Sequence, residues 1–184
     1  MSARDELIRE LRDHALVIGE VTLTSGQKSS YLIDAKRAIL RPAGFRALAE
    51  LTAAEAKERG ARAVGGMTMG ADPIACAALA GGADVEAFFV RQERKQHGLG
   101  RAIEGPELAQ GTLCLIVEDV VTTGGSTIQA IERVREEELE VCGVMAILDR
   151  LAGGGDAIRE AAAGAPYTAL TTIDDVYPER PDRD

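Results

Sequence analysis

Residues 113–134 read LCLIVEDVVTTGGSTIQAIERV, and the fold is decided by how that stretch changes character. Residues 113–117 form an apolar run with the length and composition of a strand buried on both faces. Two adjacent acids, Glu118 and Asp119, follow it. Then come Val120, Val121, Thr122, Thr123, Gly124, Gly125, Ser126 and Thr127, with a helical pattern over 126–137. A strand, a glycine turn and a helix in that order are the parts from which a parallel sheet with right-handed helical crossovers is built.

The same rhythm extends in both directions. Short apolar strands are predicted at 63–67, 85–90, 141–148 and 167–173, and helices at 73–80 and 156–163. A further helix runs from Pro42, suited to a first helical position, to a C-capping Gly60. The first 40 residues break the pattern. Ser2 and Asp5 make a capping box for a helix over 2–15, with Leu7, Ile8, Leu11 and Ala15 on one face. Strands at 21–24 and 30–34 flank the turn Ser25-Gly26-Gln27-Lys28 and read as a hairpin. Residues 91–109 are polar, without an apolar period, and the tail PERPDRD is expected to fray. The expectation is one α/β domain: a parallel sheet core flanked by helices over 41–175, a small N-terminal helix and hairpin cap over 1–40, and a tail over 176–184.

Composition narrows the class. A chain of 184 residues that is 46% hydrophobic can bury a full core without disulfides. Aromatic residues are only 3%, so Ala, Val, Leu and Ile must fill that core. Cys76, Cys114 and Cys142 are far apart and odd in number, as buried thiols in a reducing compartment would be. No apolar run approaches the roughly 18 residues of a membrane span. The charged start, MSARDELIRE, lacks the apolar core of a signal peptide, so a cytoplasmic location is expected. A net charge of −9 argues against general nucleic-acid binding.

Ligands of such sheets sit beyond the carboxyl ends of the strands. After 113–117, Gly124 and Gly125 let the backbone turn tightly, and the helix start adds unpaired N–H groups. Thr and Ser hydroxyls add donors, giving a cradle for a phosphate monoester. It is not a Walker A loop, because Gly-Lys-Ser/Thr is missing. Ionised carboxylates only accept hydrogen bonds, so Glu118 and Asp119 suit a ligand with hydroxyls beside its phosphate, as in a phosphorylated ribose. An ordinary helix N-cap at Ser126 or Thr127 with solvated acids is the competing reading, and the joint pattern favours the cradle. After 85–90, residues 91–101 read RQERKQHGLGR and carry a net +3. A basic loop with Gly98 and Gly100 at a strand's carboxyl end is a candidate pyrophosphate clamp.

Two of these stretches resemble a known family. VEDVVTTGGST resembles the 5-phosphoribosyl-1-pyrophosphate (PRPP) motif of type I phosphoribosyltransferases. FVRQERKQHGLG resembles the mobile catalytic loop of the orotate phosphoribosyltransferase family, R-K-x-x-K-x-H-G, with Arg91, Lys95, His97 and Gly98 matching. The resemblance implies PRPP contacts from Lys28, Arg91, Gln92, Lys95, His97 and residues Glu118, Asp119, Val120, Val121, Thr122, Thr123, Gly124, Gly125 and Ser126. It implies catalytic roles for Arg91, Lys95, His97 and Asp119, and orotate contacts from Thr122 and Arg150. Lys36 and Arg37 are the next cations to consider for the orotate carboxylate. Gln92 stands where the pattern usually has Lys. Gly70, Ala71 and Asp72 stand where many relatives have a Lys before the proline. Mg²⁺ carried mainly by PRPP, with no direct protein ligand, is the implied cofactor. A homodimer sharing its active sites is the implied assembly, with no nucleic-acid or membrane partner. A different base, or a PRPP-sensing regulator, are the alternatives. The 91–97 loop and Arg150 argue against the first, and the acidic charge against the second.

Overall fold

The computed structural model describes residues 1–22, 28–93 and 102–183. Helix α1 (Ala3–Glu10) starts on the expected box: Ser2 Oγ accepts from Asp5 N at 3.1 Å, and Asp5 Oδ2 accepts from Ser2 N at 3.0 Å. It continues as a π-helical turn over Leu11–Ala15. Leu7, Leu11 and Ala15 are fully buried, so the apolar face is the one that docks. Strands β1 (Leu16–Thr22) and β2 (Lys28–Ile33) pair antiparallel as the cap's hairpin. β1 starts five residues earlier than expected, because Leu16, Val17 and Ile18 find partners in Ile33, Leu32 and Tyr31. Most of the expected turn lies outside the described residues. A short helix, α2 (Lys36–Ile39), joins the cap to α3 (Pro42–Glu58).

The core alternates β3 (Ala63–Met67), α4 (Asp72–Ala80), β4 (Glu86–Val90), β5 (Ile103–Glu104), β6 (Leu113–Val121), α5 (Gly125–Glu136), β7 (Glu140–Asp149), α6 (Gly154–Ala162) and β8 (Tyr167–Thr172). The sheet order is β5-β4-β3-β6-β7-β8. All neighbours are parallel except β5, which pairs antiparallel with β4 through Phe89↔Glu104 and Val90↔Ile103. Residues 103–104, expected to be loop, therefore form an edge strand. A two-residue strand is too short to show a period in sequence. β6 also runs past its expected end at 117, because β7 keeps pairing with it as far as Val121↔Asp149.

Side-chain alternation gives the sheet two dry faces. Leu115 and Val117 of β6, with Met145 and Ile147 of β7, meet α1, α3 and α4. Cys114 and Ile116, with Val144 and Ala146, meet α5 and α6. The tail expected to fray is tied at Arg180 and Asp182, while Glu179, Pro181 and Arg183 are exposed. After α7 (Ile173–Val176), Tyr177 meets the Tyr31 ring edge-on at 5.4 Å. Arg180 pairs with Asp174, and with Asp182 at 3.4 Å. Proline and charge made this segment look loose, but ion pairs and a buried tyrosine hold it. Among the described residues no helix is long and apolar enough to cross a membrane.

Strand β3 is thin where it passes its neighbours. A Cβ on Gly66 would lie 2.1 Å from the Val117 carbonyl oxygen and 2.8 Å from Ala71 Cβ. Both obstacles are fixed parts of the core, so β3 and β6 would have to part. Gly66→Ala should therefore lower unfolding free energy by about 1–3 kcal/mol, the range for overpacking a dense core. Urea denaturation of the two proteins checks this, and an unchanged midpoint would contradict the packing described.

Candidate active site

The chain passes from β3 outward to β4 and later returns to place β6 on β3's other side. The connections after β3 and β6 thus leave in opposite senses, and a crevice opens between their carboxyl ends. Three loops edge it: residues 68–71 after β3, 122–124 after β6, and 150–153 after β7.

At the end of β6 the two acids diverge. Glu118 is buried, and its Oε2 accepts from Ser126 Oγ at 2.6 Å and Thr127 Oγ1 at 3.1 Å. Its Oε1 accepts from the backbone N of Asp119 at 3.1 Å. Burial pushes the Glu118 carboxyl up to about 7, with the Ser126 hydrogen bond opposing and the Asp119 charge reinforcing the rise. Glu118 is therefore a strut between strand and helix, and the Ser126 hydroxyl, expected in the cradle, turns inward to it. Asp119 faces the crevice. Its Oδ1 accepts from Val120 N at 2.9 Å, and its Oδ2 accepts from Lys36 Nζ at 3.1 Å. Lys36 also pairs with Asp34 at 2.9 Å. Burial works against the Lys36 ammonium, but the two carboxylates outweigh it and hold its pKa above the ordinary range.

The glycine turn has the shape the sequence implied. Gly124 takes φ +82° as the N-cap of α5, and a Cβ there would lie 2.9 Å from the Gly154 carbonyl oxygen. No side chain caps α5, so its first N–H groups are available to a ligand. At Gly125 the backbone demands no glycine: a Cβ would meet only Thr123 Oγ1, at 3.9 Å. Thr122, Thr123, Gly125 and Ser126 are exposed, while Val121 is buried under the turn and Thr122 O accepts from Gly154 N at 3.1 Å.

After β3, the Thr68–Met69 peptide is cis, and Gly70 lies against the acid of β6. A Cβ on Gly70 would stand 2.5 Å from Asp119 Oδ1. Beyond β4, Arg91 Nε donates to Glu104 at 2.8 Å and Gln92 Nε2 reaches Thr68 O at 3.5 Å. Both border a cavity of about 830 Å³ that also touches Met69, Asp72 and Phe89. Lys95 and His97 lie outside the described residues. Lys28 stands on the hairpin, exposed and paired with Glu20 at 2.8 Å.

After β7, Arg150 is only 13% exposed at its side chain. Its Nη2 donates to Tyr31 OH at 3.0 Å, and its guanidinium lies 5.0 Å from the centre of that ring. Tyr31 OH donates to Asp182 at 3.0 Å, and Asp182 Oδ2 is 4.0 Å from Arg150. The structure thus brings Asp119 and the 122–126 turn to one crevice and supplies it with Lys36. It puts Arg150 under the cap, with a carboxylate from the tail beside it. Sequence reading missed Tyr31 and Asp182, since nothing local signals contacts across 119 and 151 residues. It had weighed Lys36, but for a different carboxylate.

Comparison with known proteins agrees with this geometry. Residues 37–161 match the phosphoribosyl transferase domain family. The chain is 44% identical over 177 residues to the orotate phosphoribosyltransferase of Corynebacterium glutamicum, covering 96% of this chain and 95% of that protein. It is 47% identical over 179 residues to that of Rhodopirellula baltica, covering 92% and 91%. Among solved structures, the Mycobacterium tuberculosis orotate phosphoribosyltransferase in complex with Fe(III) dicitrate superposes with a TM-score of 0.84 at 36% identity, over 95% of this chain and 99% of that one. The same enzyme in complex with PRPP gives 0.79 at 33% identity, over 95% and 98%. With its parallel sheet, acid pair and glycine turn, the chain belongs to the phosphoribosyltransferase family and, within it, to the orotate phosphoribosyltransferases.

Proposed function

We propose that this chain joins orotate to PRPP, giving orotidine 5′-monophosphate and pyrophosphate, in the crevice between β3 and β6. The observation that carries this is the uncapped start of α5, where a Cβ on Gly125 would meet only Thr123 Oγ1 at 3.9 Å, on the turn that follows the two acids of β6. The N–H groups of 124–127 hold the 5-phosphate, as helix starts hold anions. Asp119 accepts from a ribose hydroxyl. The bond from ribose C1 to pyrophosphate breaks and a bond to N1 of orotate forms, through a centre with oxocarbenium character, and the proton that N1 loses is balanced by the leaving pyrophosphate, a basic oxyanion.

Negative charge grows on the leaving pyrophosphate. Arg91, Lys95 and His97 offset it, a role supported by the resemblance of their loop. Mg²⁺ carried mainly by PRPP would help to neutralise the pyrophosphate, a role that rests on the same resemblance. Sharing of the loop between the sites of a homodimer rests on the same resemblance. Arg150 takes the orotate carboxylate. Its fork suits a carboxylate, and Asp182, at 4.0 Å, is the partner that orotate would displace.

The deciding assay is the ultraviolet loss of orotate, which should require both PRPP and Mg²⁺. Orotate left unchanged by folded protein with both present would overturn the reading. Gly125→Ala should leave thermal stability equal or slightly raised, since helical Ala is favoured over Gly by about 1 kcal/mol. The same change should weaken PRPP binding by at least about 2 kcal/mol in calorimetry, the scale of a lost charged hydrogen bond. Equal PRPP affinity would remove the phosphate from this turn. Arg150→Ala should raise KM for orotate by about 2–4 kcal/mol in free-energy terms with little change for PRPP. Asp182→Asn should lower KM for orotate. A parallel rise of both constants in Arg150→Ala would make Arg150 structural.

A further inference from the structure

The loop after β3, residues 68–71, carries no cation. Gly70 stands there, and the space that its missing side chain leaves is filled by the Asp119 carboxylate, 2.5–2.9 Å from the position of a Cβ. A basic side chain at 70 could not enter without moving that acid. The positive charge comes from elsewhere. Lys36, the first residue of α2, reaches across 83 residues of sequence to Asp119 Oδ2 at 3.1 Å. Its mount is firm: Ala35, Ala38 and Ile39 on either side are fully buried, and Arg37 N bonds back to Asp34 O at 3.1 Å. Lys36 lies between Asp119 on β6, at 3.1 Å, and Asp34 on the turn before α2, at 2.9 Å, so one ammonium faces two carboxylates, while the Glu118 carboxylate points to the other face of β6. Asp34 Oδ1 is buried and accepts no aligned hydrogen bond, which leaves the Lys36 charge as its compensation.

We propose that Lys36 is the positioning residue for PRPP in this chain: it fixes the Asp119 carboxylate toward the ribose and supplies the cation that the β3 loop lacks. PRPP is a polyanion, and a crevice lined by uncompensated acids would repel it. With Lys36 in place, Asp119 presents its free lone pairs to hydroxyls while its charge is balanced. Lys36 acts through Asp119, not on the reacting atoms. The inference rests on Asp119 holding the ribose of PRPP.

Lys36→Met keeps the apolar stem and removes the charge, and Lys36→Gln is a second variant should Met impair folding. Titration calorimetry with PRPP and Mg²⁺, without orotate, should show affinity weakened roughly tenfold, a modest figure because the lysine side chain is 39% exposed. KM for PRPP should rise with it, while KM for orotate stays within roughly twofold, and Lys36→Arg should restore most of the loss. In a double-mutant cycle, Lys36→Met should add little to Asp119→Asn, because the lysine works through that carboxylate. Unchanged PRPP affinity in folded Lys36→Met, or full additivity with Asp119→Asn, would overturn the inference. So would equal losses for orotate and PRPP with a lowered Tm. A wild-type protein that neither binds PRPP nor consumes orotate would overturn the functional reading first, and this inference with it.

Discussion

Two carboxylates stand side by side at the carboxyl end of β6, and the surrounding structure is organised to hold them. Adjacent residues on a strand point to opposite faces, so Glu118 and Asp119 cannot share one environment. Glu118 goes into the protein, where Ser126 and Thr127 satisfy it from the first turn of α5. That bond set ties the helix start to the strand end. The N–H groups at the helix start are thereby fixed in place relative to Asp119. Asp119 goes into the crevice, where Lys36 meets it from the cap. The N–H groups of the α5 start and the Asp119 carboxylate thus come at a fixed separation before any ligand arrives, which is what preorganised binding requires.

The scaffold keeps that arrangement by using small residues where elements must be close. Gly65 and Gly66 let β3 lie between β4 and β6 with no room for a methyl group. Gly154 and Gly124 let the loops after β7 and β6 touch, and the Gly154 N–H bonds to Thr122 O. Burying apolar side chains on both faces of the sheet stabilises the whole, and it leaves the carboxyl edge as the place where polar groups gather. The cap and the tail meet at Arg150, in the loop after β7. Tyr31 links them: its ring meets Tyr177, and its hydroxyl meets both Arg150 and Asp182.

Much of this was legible in the chain. The apolar strand, glycine turn and helix of 113–134 gave β6 and α5, and the Ser2–Asp5 spacing gave the start of α1. Gly124 at the helix start follows from its positive φ, a conformation that side chains resist. What was not legible depends on partners distant in sequence. The two acids looked like loop because charge usually ends a strand, yet β7 extends the pairing past them. β5 exists only because β4 offers an edge. Lys36, Tyr31, Arg150 and Asp182 carry ordinary local signals, and only the fold shows that they meet. The tail read as loose because its prolines and charges say nothing about Asp174 and Tyr31 awaiting it.

The proposed reaction depends on PRPP binding in the crevice between β3 and β6, through the α5 start and Asp119. A crystal structure of this protein with PRPP and Mg²⁺ tests it most directly. The 5-phosphate is expected within hydrogen-bond distance of the N–H groups of residues 124–127, with a ribose hydroxyl on Asp119 and Lys36 still beside that carboxylate. PRPP bound elsewhere, for instance in the cavity at the opposite edge of the sheet beside Lys57, Arg62 and Asp84, would contradict it.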